Sequence, residues 1–331
     1  MPGIDSLIRL YGTLVGWVGL GLLLGYGLPH YFPTFRNLPL YLGRALFWVG
    51  VPLSIMVFLR QADLSASVLL APLVCWVALG VGAALAGVWI WGRVWLQQSG
   101  LQHVFPAWGQ PIAHRPTQGS FLLTAMVGNT GYLGYPVTLA LVGTPYFGWA
   151  VFFDTLGSTL GAYGLGVVLA AYFGKGTQSR SELLQALVRN PALWSFFLGL
   201  GLRVVPLPMA IESALRTCAW IVIALSLILL GMRLSQLRSW QNVRQAVASL
   251  SIKMLIVPLL LGLSLPLIGI TGAPQLVIVL QMAMPPAFAT LVIAEAYDLD
   301  RDLTVTALAI GSVALLVLLP FWLWLFAVEP I

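Results

Sequence analysis

The sequence predicts an all-α polytopic membrane protein. Three observations carry that expectation. Hydrophobic residues make up 60% of the chain and charged residues 8%, against about 25% charged in a soluble domain. The apolar residues fall into runs near the ~20 needed to cross a bilayer as a helix. Thirteen tryptophans suit anchoring at the membrane interface.

Ten spans are expected, over 7–29, 39–59, 67–92, 119–143, 146–173, 191–206, 211–233, 247–267, 274–297 and 303–327. The first run is long enough to span unaided, so it reads as a helix and not as a cleaved leader. The third can continue as a helix to Leu96. The fourth carries "VGNTGYLGYPVTLAL" (127–141), crowded with helix-weakening glycine and a proline. The fifth takes Asp154 about 12 Å into the membrane. The sixth is short and starts at Pro191. The ninth carries "MPPAFAT" (284–290), a second interruption.

Orientation follows from basic residues, which favour cytoplasmic loops. Arg36, Arg44, Arg93, Arg115, Lys175, Arg180, Arg189, Arg233, Arg238, Arg244 and Arg301 flank the loops after spans one, three, five, seven and nine. Arg9, Arg60, Arg203 and Arg216 lie on the other side. Both termini are therefore expected outside the cytoplasm, in a plasma (inner) membrane. "SRSELLQALVRN" (179–190) reads as a short amphipathic cytoplasmic helix capped by Ser181. It divides the chain into 1–174 and 191–331, joined by 175–190.

Each half holds five spans, so the halves have opposite orientations, as in the inverted repeats of many transporters. "VPLSIMVFL" (51–59) resembles "IALSLILLG" (223–231), setting Ser54 against Ser226. The interruption at Pro136 then matches the one at Pro285, if the loop 98–118 is an insertion. Matched breaks point to discontinuous helices meeting near the midplane, where half-helix N-termini suit an anion.

Asn129 is an amide deep in a span, whereas Asn37, Asn190 and Asn242 lie in loops or at span ends. Gln281 stands one turn before Pro285. These two amides are expected to line one site from opposite sides, or to tie down broken backbone. Candidate substrate-facing residues are Asn129, Thr130, Gly131, Tyr132, Tyr135 and Pro136 at the first break. Gln281, Met284, Pro285 and Pro286 are their counterparts at the second, with Ser54 and Ser226 at matching places. Thr138 and Thr290 are weaker candidates, because threonine often bonds its own helix.

Asp154 and Lys253 are charges inside spans. Asp154 is a candidate for carrying a coupling proton, pairing with a cation or capping broken backbone. Lys253 is expected to snorkel to the surface, with a substrate carboxylate or Asp154 as alternative partners. Glu212 and Arg216 are expected to pair at i,i+4. Glu295, Asp298, Asp300 and Asp302 read as a solvated turn. No arginine is expected beside either break, which argues against a bidentate clamp on a dicarboxylate.

"GNTGYLGYP" (128–136) followed by "AMPPAFATLVIAEAYDLDRDLTVTALAIGSVALLVLLP" (283–320) resembles the auxin efflux carrier family, across essentially the whole chain. The resemblance implies a scaffold of helices one, two, six and seven. It implies a transport domain of helices three to five and eight to ten, with the fourth and ninth crossing at their prolines. Asn129 and Pro136 would fall on the first crossing, and Met284, Pro285 and Pro286 on the second. It also implies an elevator mechanism and a homodimer. "SIMVFL" and "SLILLG" suit either a dimer face or internal packing.

These readings lead to a secondary carrier of small organic anions, with auxin-like aromatic acids and mono- or dicarboxylates both open. Proton or sodium coupling is also open. The alternatives are a sodium-coupled symporter similar to the bile acid or bicarbonate carriers and, from another class, a membrane sensor or channel. The +6 charge lies in loops and points to no nucleic acid. Cys75 and Cys218 read as buried thiols. His30, His103 and His114 lack metal-ligand spacing, so no metal, other cofactor or enzyme activity is expected.

Overall fold

The computed structural model describes residues 4–99, 112–174, 185, 188–235 and 242–326. In chain order its helices are α1 (Ile4–Tyr31), α2 (Leu38–Gln61), α3 (Leu70–Gln98), α4 (Arg115–Met126) and α5 (Thr130–Gly134, continuing as Tyr135–Leu141). There follow α6 (Phe147–Phe173), α7 (Pro191–Leu202), α8 (Met209–Ser235) and α9 (Val243–Ile268). The last three are α10 (Gly272–Met282), α11 (Phe288–Ala296) and α12 (Arg301–Phe326). Among the described residues no strand occurs. Six helices there are long and apolar enough to cross a membrane: α2, α3, α6, α8, α9 and α12. The 12 residues of α4 reach only about 18 Å, short of a ~30 Å hydrocarbon core. Most of the expected cytoplasmic helix over 179–190 and most of the loop 98–118 lie outside the described residues.

The helices gather in two groups, which touch through α2 and α6 and through α5 and α8. α1 lies along α8, and α2 packs on α7 and α8. Around α4 gather α3, α6, α9 and α12, with α10 on α9 and α12, and α11 on α12. The α1–α8 contact brings backbone against backbone, which lipid-facing helices achieve with small residues. A Cβ on Gly231 would collide with Val18 O and stand 2.7 Å from Leu22 N; one on Gly25 would stand 2.7 Å from the Met232 Cα.

α2 and α7 are joined by exchanged arginines. Arg60 donates to Leu202 O and to Val205 O (2.8 Å), while Arg203 donates to Leu59 O and to Ala62 O (2.7 Å). Each cation donates to carbonyls at or just past the end of the other helix, where the helix dipole is negative. The "SIMVFL" and "SLILLG" segments are spent inside this group: Ile55, Phe58, Leu59 and Leu227 to Leu230 are buried within the chain. That excludes a dimer face built on those side chains.

Two expectations about charges need correction. Asp300 is not a solvated turn residue. Its Oδ2 accepts from the Thr117 hydroxyl (2.8 Å) and the Asn242 amide (3.1 Å), and its Oδ1 from Leu303 N (2.9 Å). As the residue preceding α12 it caps that helix, and it also ties down the starts of α4 and α9. Glu212 and Arg216 form no ion pair; the ion pair found among the described residues joins Arg301 to Glu295 at 2.8 Å.

Candidate functional site

Helix α4 ends at Met126, and Val127 is extended (φ −91°, ψ 117°). Helix α10 ends at Met282, and Ala287, just before α11, is also extended (φ −74°, ψ 150°). These two interruptions lie side by side and antiparallel. Asn129 N donates to Pro285 O (2.7 Å) and Ala287 N donates to Val127 O (3.1 Å). Gly128 faces Pro286 between them. In an antiparallel pair the residue at this position donates nothing across the ladder. Pro286 therefore sits where its missing N–H is not needed. Each broken helix satisfies the other's freed backbone, as a membrane interior requires.

The first break is thus at 127–129, and not at Pro136 as the sequence suggested. Pro136 lies inside α5, and the two helices do not meet at both prolines. The preceding turn is widened: Leu133 N and Gly134 N both donate to Asn129 O (3.3 and 3.1 Å). Such a π-turn accommodates a proline without ending the helix.

A cavity of about 570 Å³ opens on this crossing. The start of α5 (Asn129, Thr130, Gly131, Tyr132) and the start of α11 (Ala287, Phe288, Ala289) both line it. The first N–H groups of a helix have no acceptor within it and carry partial positive charge. Two helix starts therefore face one space, beside the Asn129 side chain. Phe47 and Tyr132 form an aromatic wall, their rings stacked at 6.5 Å and 18°.

Arg233, near the end of α8, completes the wall. Its guanidinium lies 3.9 Å over the Phe288 ring and forms no ion pair among the described residues. It also borders a smaller cavity of about 300 Å³ running toward Arg301. Sequence reasoning missed Arg233 because α8 is distant in sequence from both breaks. The signal available was a lone arginine in the last turn of an apolar helix. The expectation that no arginine stands beside the site is therefore wrong.

The other candidates divide. Tyr135 is buried behind the cavity, donating to Asp154 Oδ2 (2.6 Å) and packing edge-on against Phe147 (5.1 Å). Gln281 is fully buried on the far side of α5. Gly134 leaves room for it, and its amide donates to the Thr138 hydroxyl at 3.1 Å. The structure therefore separates the two amides that were expected to share a site. Met284, Pro285 and Pro286 belong to the crossing but are not on the cavity wall. Ser54 is buried with no hydrogen-bond partner among the described residues, Ser226 donates to Val222 O of its own helix (2.8 Å), and neither lines the cavity. Thr290 donates to Ala287 O (2.6 Å) at the start of α11.

Lys253 does not snorkel. It is 4% exposed and donates to Met282 O (2.9 Å) at the end of α10, behind Gly128. A cation there suits the carbonyls of a helix C-terminus. Asp154 is buried on the opposite side, accepting from Thr130 and Tyr135, so the two charges flank the crossing without pairing. Among the described residues no group of His, Cys, Asp or Glu could hold a metal ion.

A multi-pass helical membrane protein whose broken helices meet at an internal cavity has the build of a transport protein. The chain belongs to the membrane transport protein family, the auxin efflux carrier type, whose profile matches residues 113–323. It is 30% identical over 284 residues to an uncharacterized transporter of Methanothermobacter thermautotrophicus, covering 85% of this chain and 87% of that one. It is 28% identical over 212 residues to an uncharacterized transporter of Methanocaldococcus jannaschii, covering 62% and 68% respectively.

Proposed function

We propose that the chain is a secondary carrier of small organic anions, with ten membrane helices in two inverted repeats of five. The observation that carries this reading is the cavity itself. Two helix starts, the Asn129 amide and the Arg233 guanidinium face one space of about 570 Å³, sized for a small carboxylate. The close packing of α1, α2, α7 and α8 on one another supports a scaffold against which the remaining helices shift as an elevator.

The cavity lining includes Asn190, Arg233 and Glu295, at the end of the bundle that the basic residues assign to the cytoplasm. At the opposite end Phe58 contacts Phe147 (5.5 Å) and Trp220 (5.4 Å), and Tyr135 contacts Phe147. This aromatic cluster bridges the two helix groups and closes that side. Both features support an inward-facing conformation.

The test is uptake of labelled organic acids into vesicles by wild type and by Asn129→Ala. The reading expects saturable uptake by wild type that the substitution weakens severalfold or more. Unchanged transport of an identified anion by Asn129→Ala would remove Asn129 from the site.

A further inference from the structure

The inner wall of the cavity holds an acid that anion binding does not use. Asp154 projects from α6 and is 6% exposed. Both its oxygens are engaged by hydroxyls, Thr130 on Oδ1 and Tyr135 on Oδ2. It makes no ion pair among the described residues.

Its ionisable surroundings are few. Among the elements packed against this part of α6, α3 brings Cys75 and α5 brings Tyr132 and Tyr135. The facing helices α7 and α10 carry no ionisable residue. On the cavity wall stand Tyr163, Arg233 and Glu295, and Lys253 lies beyond Gly128.

The Thr130 hydroxyl stands within reach of two acceptors, Asp154 Oδ1 and Gly128 O at 3.5 Å. A hydroxyl has one proton to donate. When Asp154 is charged, that proton goes to the carboxylate. When Asp154 is protonated, its own O–H donates to Thr130 Oγ1, and the Thr130 proton turns to Gly128 O. Gly128 is the residue that faces Pro286 in the crossing, and Thr130 opens α5. Protonation thus changes hydrogen bonding at the crossing itself. A charged Asp154 also repels an anion in the same cavity, and protonation removes that repulsion. By linkage, each of the two ligands then strengthens the binding of the other.

We propose that Asp154 is a proton-binding site, coupled through Thr130 to the anion site, so that one proton moves with each anion. The proposal rests on the anion-carrier reading above. The proton is taken from water on one side of the membrane and returned to water on the other, and the only bond made and broken is the O–H of the carboxyl.

The experiment uses the full chain in proteoliposomes with a trapped pH-sensitive dye. The probes are labelled malonate, phthalate and indole-3-acetate, each corrected for leak through protein-free vesicles. For wild type, an inward proton gradient should accelerate uptake, with one proton entering per anion. For Asp154→Asn, the ratio of protons to anions should fall to background. Thr130→Ser should retain the ratio and Thr130→Val should lower it, a pair that decides the matter if Asp154→Asn does not fold. A wild-type ratio of zero, an unchanged ratio in Asp154→Asn, or acceleration by a sodium gradient in place of a proton gradient would overturn the proposal. If wild type moves none of the three anions, the anion-carrier reading fails and coupling falls with it. If anions move without protons, coupling alone fails.

Discussion

Replacing Arg233 by glutamine should weaken anion binding without unfolding the protein. The guanidinium faces the cavity, and its observed partner is the Phe288 ring at 3.9 Å. Loss of that stacking costs about 0.5–1 kcal/mol in the empty protein, so the melting temperature without ligand should change little. A charge-assisted hydrogen bond to a carboxylate contributes about 1.5–3 kcal/mol. Its loss corresponds to roughly ten- to hundredfold weaker binding. Arg233→Lys keeps the charge but loses the planar fork of donors, and should fall between. The assay is thermal stabilisation across a titration of malonate, phthalate and indole-3-acetate, because binding raises apparent stability by mass action. An anion that stabilises wild type and Arg233→Gln at the same concentrations would refute the role given to Arg233.

Other substitutions test the architecture. Ala287→Pro removes the donor to Val127 O, which is buried, and should cost about 1–3 kcal/mol, whereas Pro286→Ala should be near neutral; denaturation of the two variants side by side checks the bridge. Gly231→Ala forces a methyl against Val18 O and Leu22 N, and should cost about 1–3 kcal/mol, seen as a lower melting temperature in detergent. Asp300→Ala leaves the Thr117 and Asn242 donors and the start of α12 uncapped, and should cost about 2–4 kcal/mol by the same measurement.

The all-helical build and the second break were legible because both are local. Apolar runs of spanning length and a Met-Pro-Pro interruption declare themselves within a few residues. The first break was misplaced for a physical reason. Proline looks like the stronger breaker, but Pro136 is accommodated by a widened turn, while the chain parts at Gly128 and Asn129 because a second backbone pairs with it there. That partner lies more than 150 residues away, beyond any local pattern. The same holds for Arg233, brought to the cavity by α8, and for Gln281, turned away from it by the space Gly134 leaves. Asp300 looked solvated because its neighbours in sequence are charged; its partners come from the starts of α4 and α9.

The central claim is that an organic anion sits between the crossing and Arg233. Anomalous scattering from crystals grown with a brominated analogue of the tightest-binding anion tests this most directly. The account predicts a bromine peak inside the cavity, with the carboxylate between Asn129 and Arg233. A peak on the far side of the Tyr135–Phe147 cluster, or on the outer faces of the helices, would contradict it.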